Sequence, residues 1–243
     1  AIWLVVFFAA ERLLPKAPSK FQGKSAWARL GRNIMSFAIL GVLSRFAVVP
    51  ITVFAASQAL GWRPIWWGGW QGLVLDLLIL DMFIYWWHRF NHVLPILWRF
   101  HVIHHLDEFL DTTTAVRFHF GEVLLSAIVR GGFIYLCGIP LVSVVVFEAL
   151  VLMSSIFQHS NIKIPDALDK TLSYVVVTPG WHWMHHHATR VDTDSNYANT
   201  LTIWDRLFGS RCKHNRDINM PMGVGGQGEE TFMELQTRPF RRG

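Results

Sequence analysis

The sequence predicts an all-α fold, an integral membrane bundle of about four spanning helices under a helical cap. Three observations predict it. Only 16% of the 243 residues are charged and 52% are hydrophobic, against about 25% charged in an ordinary soluble domain. The apolar residues fall in long runs, and a bilayer core about 30 Å thick is crossed by about 20 helical residues. The 12 histidines gather at the ends of those runs, nearly all of them within residues 88–187.

Each element follows in order. Residues 1–14 read as the end of a membrane helix. The chain opens on Ala1 with no basic leader or cleavage pattern, so a truncated N-terminus is expected and a signal peptide is not. Residues 15–32 form a basic loop with Lys16, Lys20, Lys24, Arg29 and Arg32, placed in the cytoplasm by the excess of positive charge on that side of membranes. Residues 33–60 span, with an interruption at Pro50. Residues 61–71, rich in Trp and Gly, make an interfacial turn, and residues 72–90 span back. The polar segment 91–121 precedes an apolar hairpin about Pro140, with arms 122–138 and 141–157 that cross or re-enter. Counting crossings returns every histidine cluster to one membrane face.

The spacing of those histidines carries the chemistry. His88 and His92 form HxxxH; His101, His104 and His105 form HxxHH; His182, His185 and His186 form a second HxxHH; His159 stands between. Positions i, i+3 and i+4 share one helix face, and imidazole is a ligand for zinc, iron, copper and nickel. Nine clustered histidines exceed what one ion uses, so two metals are expected within the cap. HExxH is absent, which disfavours a zinc protease of that type, and the helices lack the glutamates of a ferritin-like site. Cys137 and Cys212 have no CxxC spacing and predict neither a disulfide nor a thiolate site. The net charge of +5 comes from residues flanking apolar runs, and no nucleic-acid motif accompanies it. A zinc-dependent membrane hydrolase is the alternative enzyme reading. A metal transporter is disfavoured, because polar groups gather at one face instead of lining a path.

The blocks DMFIYWWHRFNH, RFHVIHH, RFHFGE, FQHSN, TPGWHWMHHH and DTDSNYANTLTIWDRLFGS resemble the fatty acid hydroxylase/sterol desaturase superfamily, over about residues 76–210 of a single domain 1–243. The resemblance implies a membrane-bound di-iron, oxygen-dependent enzyme that hydroxylates or desaturates a C–H bond of a lipid. It implies as metal ligands His88, His92, His101, His104, His105, His159, His182, His185 and His186. Ser155 stands where some fatty acid hydroxylases carry a further histidine, which favours the sterol desaturase-like branch. Phe120 replaces a family proline after His119, leaving His119 a ligand or a group supporting one. Asp81, an intramembrane carboxylate two turns before His88, is expected to hold a ligand's other nitrogen, with Asp76 a weaker case. Glu122, Asn161, Asp194 and Asn196 fit the same role, and Tyr197 closes the site. Asp205 caps its helix or pairs with Arg206, and Arg130 and Glu148 pair or snorkel. His187 serves in hydrogen bonding, and His214 is solvated. No flavin, haem or iron–sulfur motif is visible, so a separate ferredoxin or cytochrome donor is implied. It would dock on Arg206, Arg211, Lys213 and Arg216, residues that equally suit anionic lipid headgroups. The chain's compactness points to a bacterial inner membrane.

Overall fold

A computed structural model describes residues 2–214 and 216–241. It is helical, with isolated β-bridges only, among the described residues. The helices are α1 (Ile2–Leu13), α2 (Gly23–Leu43), α3 (Val49–Ser57), α4 (Gly69–Val93), α5 (Pro95–His105), α6 (Phe120–Cys137), α7 (Leu141–His159), α8 (Asp166–Leu172), α9 (Pro179–His185), α10 (Arg190–Thr193), α11 (Ile203–Leu207) and α12 (Phe232–Thr237).

Four helices are long and apolar enough to cross a membrane: Gly23–Ser57, α4, α6 and α7. The first corrects two expectations. Residues 23–32 are helix instead of loop, and Pro50 does not interrupt the span. A π-turn at Ser44–Val48 joins α2 to α3, with Pro50 in the first turn of α3, where a missing N–H is tolerated. At 1.5 Å per residue the 35 residues extend about 52 Å, well beyond a ~30 Å hydrocarbon core. The basic positions Lys24, Arg29 and Arg32 therefore ride on its overhanging end.

The hairpin about Pro140 forms as expected, with arms of 18 and 19 residues. Gly138 ends α6 at φ 66°, and a Cβ there would lie 2.6 Å from the Leu60 carbonyl oxygen, so both the turn and the close approach require glycine. Ala55, Leu80, Ile134, Val144 and Phe147 form the core between α3, α4, α6 and α7. At the end of the bundle nearest this core, Asp76 accepts from Ser143 Oγ (2.6 Å) and Trp67 Nε1 (3.1 Å) and pairs with Arg63. It pins the Trp-rich turn and supports no histidine. Trp62, Trp66 and Trp70 of that turn are exposed, as interfacial anchors are.

The opposite end holds the site. His88 and His92 close α4, His159 closes α7, Glu122 opens α6, and α5 and α9 pack beside them. Helix direction thus brings every histidine cluster to one end of the bundle, as the count of crossings requires.

Candidate metal centre

The nine histidines gather in two groups. His88, His92, His101, His105 and His185 form one; His104, His159, His182 and His186 form the other. Within each, one ring nitrogen per residue lies within 4.8 Å of the others, and two nitrogens bound at ~2.1 Å to one ion lie about 3–4 Å apart. The HxxHH motif on α5 divides between the groups, His101 and His105 to one and His104 to the other. The α9 motif divides likewise, so the two groups share walls.

Backbone and carboxylate oxygens fix the rings. Nδ1 of His88 lies 2.8 Å from the Tyr197 carbonyl, that of His185 2.7 Å from Ser195, that of His159 2.6 Å from Ser155 and that of His104 3.3 Å from Arg117. Nδ1 of His101 lies 2.7 Å from Glu122 Oε1, and that of His92 3.3 Å from Asp194 Oδ1. Each contact places the proton on Nδ1 and leaves a lone pair on Nε2, as metal-bound histidines are held. His104 and His159, both held through Nδ1, bring their Nε2 atoms to 3.0 Å from each other, the separation of two ligands on one ion. The Nε2 atoms of His92, His101 and His185, and both nitrogens of His105, are buried without a partner among the described residues. Orphaned nitrogens facing one another are the donor set for cations, and an all-imidazole set suits iron as well as zinc.

Burial, reinforced by neighbouring imidazoles, holds His104, His105, His182 and His186 well below the ordinary imidazole range. Burial brings His185 to about 3, against the opposing pull of the Ser195 carbonyl. The sign follows. The unfolded rings titrate near 6.5 and the folded ones lower, so stability is full above about 6.5 and is lost as pH falls toward the folded values. Each such ring contributes ~1.4 kcal/mol per pH unit. Metal-free protein is expected to show a melting temperature that drops steeply from pH 7 to pH 5; a flat profile over that interval would contradict the buried neutral cluster.

Several supporting residues sit elsewhere than expected. Asp81 faces no histidine: its Oδ2 accepts from Leu201 N (3.1 Å) and Trp204 Nε1 (2.8 Å), because His88 turns instead to the Tyr197 carbonyl. It anchors the loop that supplies that carbonyl. His119 is neither ligand nor support. Its Nδ1 caps α6 by accepting from Gly121 N, and its Nε2 meets the Gln236 carbonyl, both at 2.9 Å. Asn161 ties down the N-terminal segment through Ala17 and Glu11. Asn196 contacts Trp181 O and Cys212 N, but its left-handed φ of 52° aims the flanking Ser195 and Tyr197 carbonyls at His185 and His88. Glu122 and Asp194 do face histidines. His187 and His214 both pair with Asp192, and the His214 side chain is exposed, as expected of a solvated group. Cys212 Sγ joins them at 3.4 Å.

Sequence reasoning missed three struts. Arg117, fully buried, offers its carbonyl to His104 Nδ1 while its Nε donates to Ile103 O (3.0 Å). Asp205 accepts from Tyr197 N, Ala198 N, Trp181 Nε1 and Ser210 Oγ, folding the loop that faces His88; it neither caps nor pairs with Arg206. Asp169 accepts from Gly180 N at the start of α9 so closely that a Cβ on Gly180 would lie 2.1 Å from its Oδ2, so a larger residue in TPGWHWMHH would displace that carboxylate. The sequence marks these three only as charged residues.

A cavity of about 230 Å³ opens on both groups, with His88, His101, His104, His159 and His182 in its wall. Of the four basic residues of the expected docking patch, Arg206 donates to Ser173 O (2.7 Å) and Arg216 pairs with Asp166 (3.4 Å); Arg211 and Lys213 are exposed.

The model of the fatty acid hydroxylase family matches residues 73–210. The ornithine lipid hydroxylase OlsE of Rhizobium tropici is 29% identical over 205 residues, which are 84% of this chain and 61% of that protein. The alkylglycerol monooxygenase of Danio rerio is 34% identical over 145 residues, 60% of this chain and 30% of that protein. The cholesterol 25-hydroxylase of Rattus norvegicus is 26% identical over 152 residues, 58% of this chain and 47% of that protein. The chain thus spans about three fifths of the first relative's length and less than a third of the second's. No solved structure gives a significant match.

Proposed function

Because the chain belongs to the fatty acid hydroxylase family, we propose that it is a membrane di-iron oxidoreductase that uses O2 and external electrons to hydroxylate or desaturate a C–H bond of a lipid. The observation that carries this reading is the pair of imidazole groups whose Nε2 lone pairs converge. His88, His92, His101, His105 and His185 would hold one iron, and His104, His159, His182 and His186 the other. The bound irons supply oxygen activation and the oxidising power to cleave an unactivated C–H bond. The chain's own residues supply the rest. Glu122 and Asp194 hold the Nδ1 protons of His101 and His92, while the Ser155, Ser195, Tyr197 and Arg117 carbonyls orient four more rings. The cavity brings a substrate carbon to both groups at once.

The whole chain acts as one membrane-embedded domain with the histidine end toward the cytoplasm. Arg29 and Arg32 of α2, paired with Asp107 and Glu229 beside the histidine helices, support this orientation. A bacterial inner membrane is supported by the coverage of this chain by the Rhizobium enzyme. Electrons come from a ferredoxin or cytochrome docking near Arg211 and Lys213.

Elemental analysis of detergent-purified protein from iron-replete cells tests the reading. Close to two irons per chain is expected, with lipid-dependent oxygen consumption that requires an added electron donor. Zinc retained after apo-protein is offered ferrous iron without oxygen, together with lipid hydrolysis independent of O2, would overturn it in favour of a hydrolase.

A further inference from the structure

The cavity over the histidines is unlike a channel for bare hydrocarbon. Gln158 lines it with 1% of its surface exposed, and its amide oxygen has no partner among the described residues. Asn199 donates to Ser155 Oγ (3.2 Å), but its own amide oxygen is unpartnered and buried. Arg130, also in the wall, spends one Nη on Glu148 (3.0 Å) and leaves Nε without an acceptor. A buried polar group left unpaired costs about 1–3 kcal/mol, and an ionisable residue inside a spanning helix marks a functional path. Methylene groups filling this space would leave all three groups unpaired.

The register gives these groups an order. Glu122, Ser126 and Arg130 recur every fourth residue on α6, so they share one face of that helix. Glu122 touches His101, and Arg130 lies eight residues further on, about 12 Å along the helix axis. On α7, Ser155 sits one turn before His159 on the same face, and Gln158 directly precedes His159. A polar strip therefore starts beside the metal groups at Gln158, Ser155 and Asn199 and ends about 12 Å away at Arg130. The strip offers both donors and acceptors, and Glu148 already balances the Arg130 charge. The cavity volume of about 230 Å³ is below the ~300–1,000 Å³ of pockets that enclose whole drug-sized ligands.

Resting on the di-iron reading above, we propose that this strip binds the uncharged or zwitterionic, hydrogen-bonding headgroup of an amphiphilic lipid. The carbon oxidised then lies within about 12 Å of that headgroup, and not at the far end of a long acyl chain. Gln158 and Arg130 are the positioning residues that set this specificity, acting on substrate and not on the metals.

Two probes of equal chain length separate the possibilities, 1-O-hexadecylglycerol and hexadecane, each presented to the holoenzyme in phosphatidylglycerol vesicles. The readouts are equilibrium binding of labelled probe, the position of inserted oxygen by mass spectrometry, and metal content. The expected result is binding of the glycerol probe, oxygen inserted within about 12 Å of its headgroup, and no turnover of hexadecane. Gln158→Met and Arg130→Gln should each weaken binding and raise KM about tenfold, with kcat within about threefold and metal content unchanged. Such a factor corresponds to about 1.4 kcal/mol, within the range for one buried hydrogen bond. Ser126→Ala removes a single hydroxyl from the same strip with little change in packing; it should shift KM in the same direction, and it serves if the larger substitutions fail to fold. Equal oxidation of both probes, or unchanged KM and binding in the variants, overturns the proposal. Headgroup-dependent binding without oxygen consumption would leave the strip standing and instead defeat the oxygenase reading.

Discussion

Replacing His104 or His185 with alanine is expected to abolish turnover while leaving the fold intact, and to remove a different metal ion in each case. His104 belongs to the four-histidine group and His185 to the five-histidine group. Both side chains are buried, with Nδ1 on a backbone carbonyl and Nε2 toward their group. Each substitution deletes one donor and leaves the helix unchanged, since alanine has the highest helix propensity. Loss of one ligand typically lowers metal affinity by far more than the 10–100-fold seen when a supporting partner is lost. Metal analysis should fall from two per chain to about one in either variant, and to none in the double variant. Circular dichroism should be unchanged. Retention of two metals with full activity in either single variant would remove that residue from the ligand set.

Arg29→Leu is expected to destabilise the protein by about 3–5 kcal/mol, the range for leaving a buried charge unpaired. The Arg29 guanidinium lies 2.6 Å from Asp107 and 2.9 Å from Asp111, and it also donates to Phe109 O and Thr114 Oγ1. Asp107 is fully buried and Asp111 nearly so. Burial opposes ionisation of Asp107, but Arg29 and Arg117 outweigh it and hold its carboxyl at about 2. A depressed carboxylate adds stability above its unfolded value near 3.9, and that stability is lost as pH falls toward 2. The difference in melting temperature between parent and variant should therefore be full at pH 7 and shrink on acidification below pH 4. The network reaches the site, because Asp107 lies two residues beyond His105 of the HxxHH helix and Arg117 supplies the carbonyl that faces His104. The variant should thus also bind metal more weakly. A loss below about 1 kcal/mol, the level of an exposed ion pair, would show that the cluster is not a unit.

The sequence alone determined which segments are apolar enough to span and which histidines share a helix face. Both are local properties. Hydropathy sums over consecutive residues, so the arms 122–138 and 141–157 appear within one or two residues of α6 and α7. HxxHH is a statement about a single helix face, and the number of crossings sets the side on which each motif emerges. Even the overhanging Gly23–Ser57 helix departs from expectation only at its basic end and at Pro50, where a π-turn accommodates what proline ordinarily breaks.

Tertiary structure decided how the histidines divide and what holds them. His104 leaves its motif neighbours for the group of His159, and no spacing rule foretells that, because it depends on where α7 and α9 lie against α5. The supports of His88, His104, His159 and His185 are backbone carbonyls, which every residue carries and no side-chain pattern marks. Asp81, Asn161 and His119 have the residue types of metal-site partners, but their oxygens and nitrogens meet loops and helix ends. A polar side chain near a metal motif is chosen by whichever unpaired group the fold buries beside it, because burial makes an unsatisfied partner costly. That choice is made in three dimensions, between residues as far apart in the chain as Asp81 and Trp204.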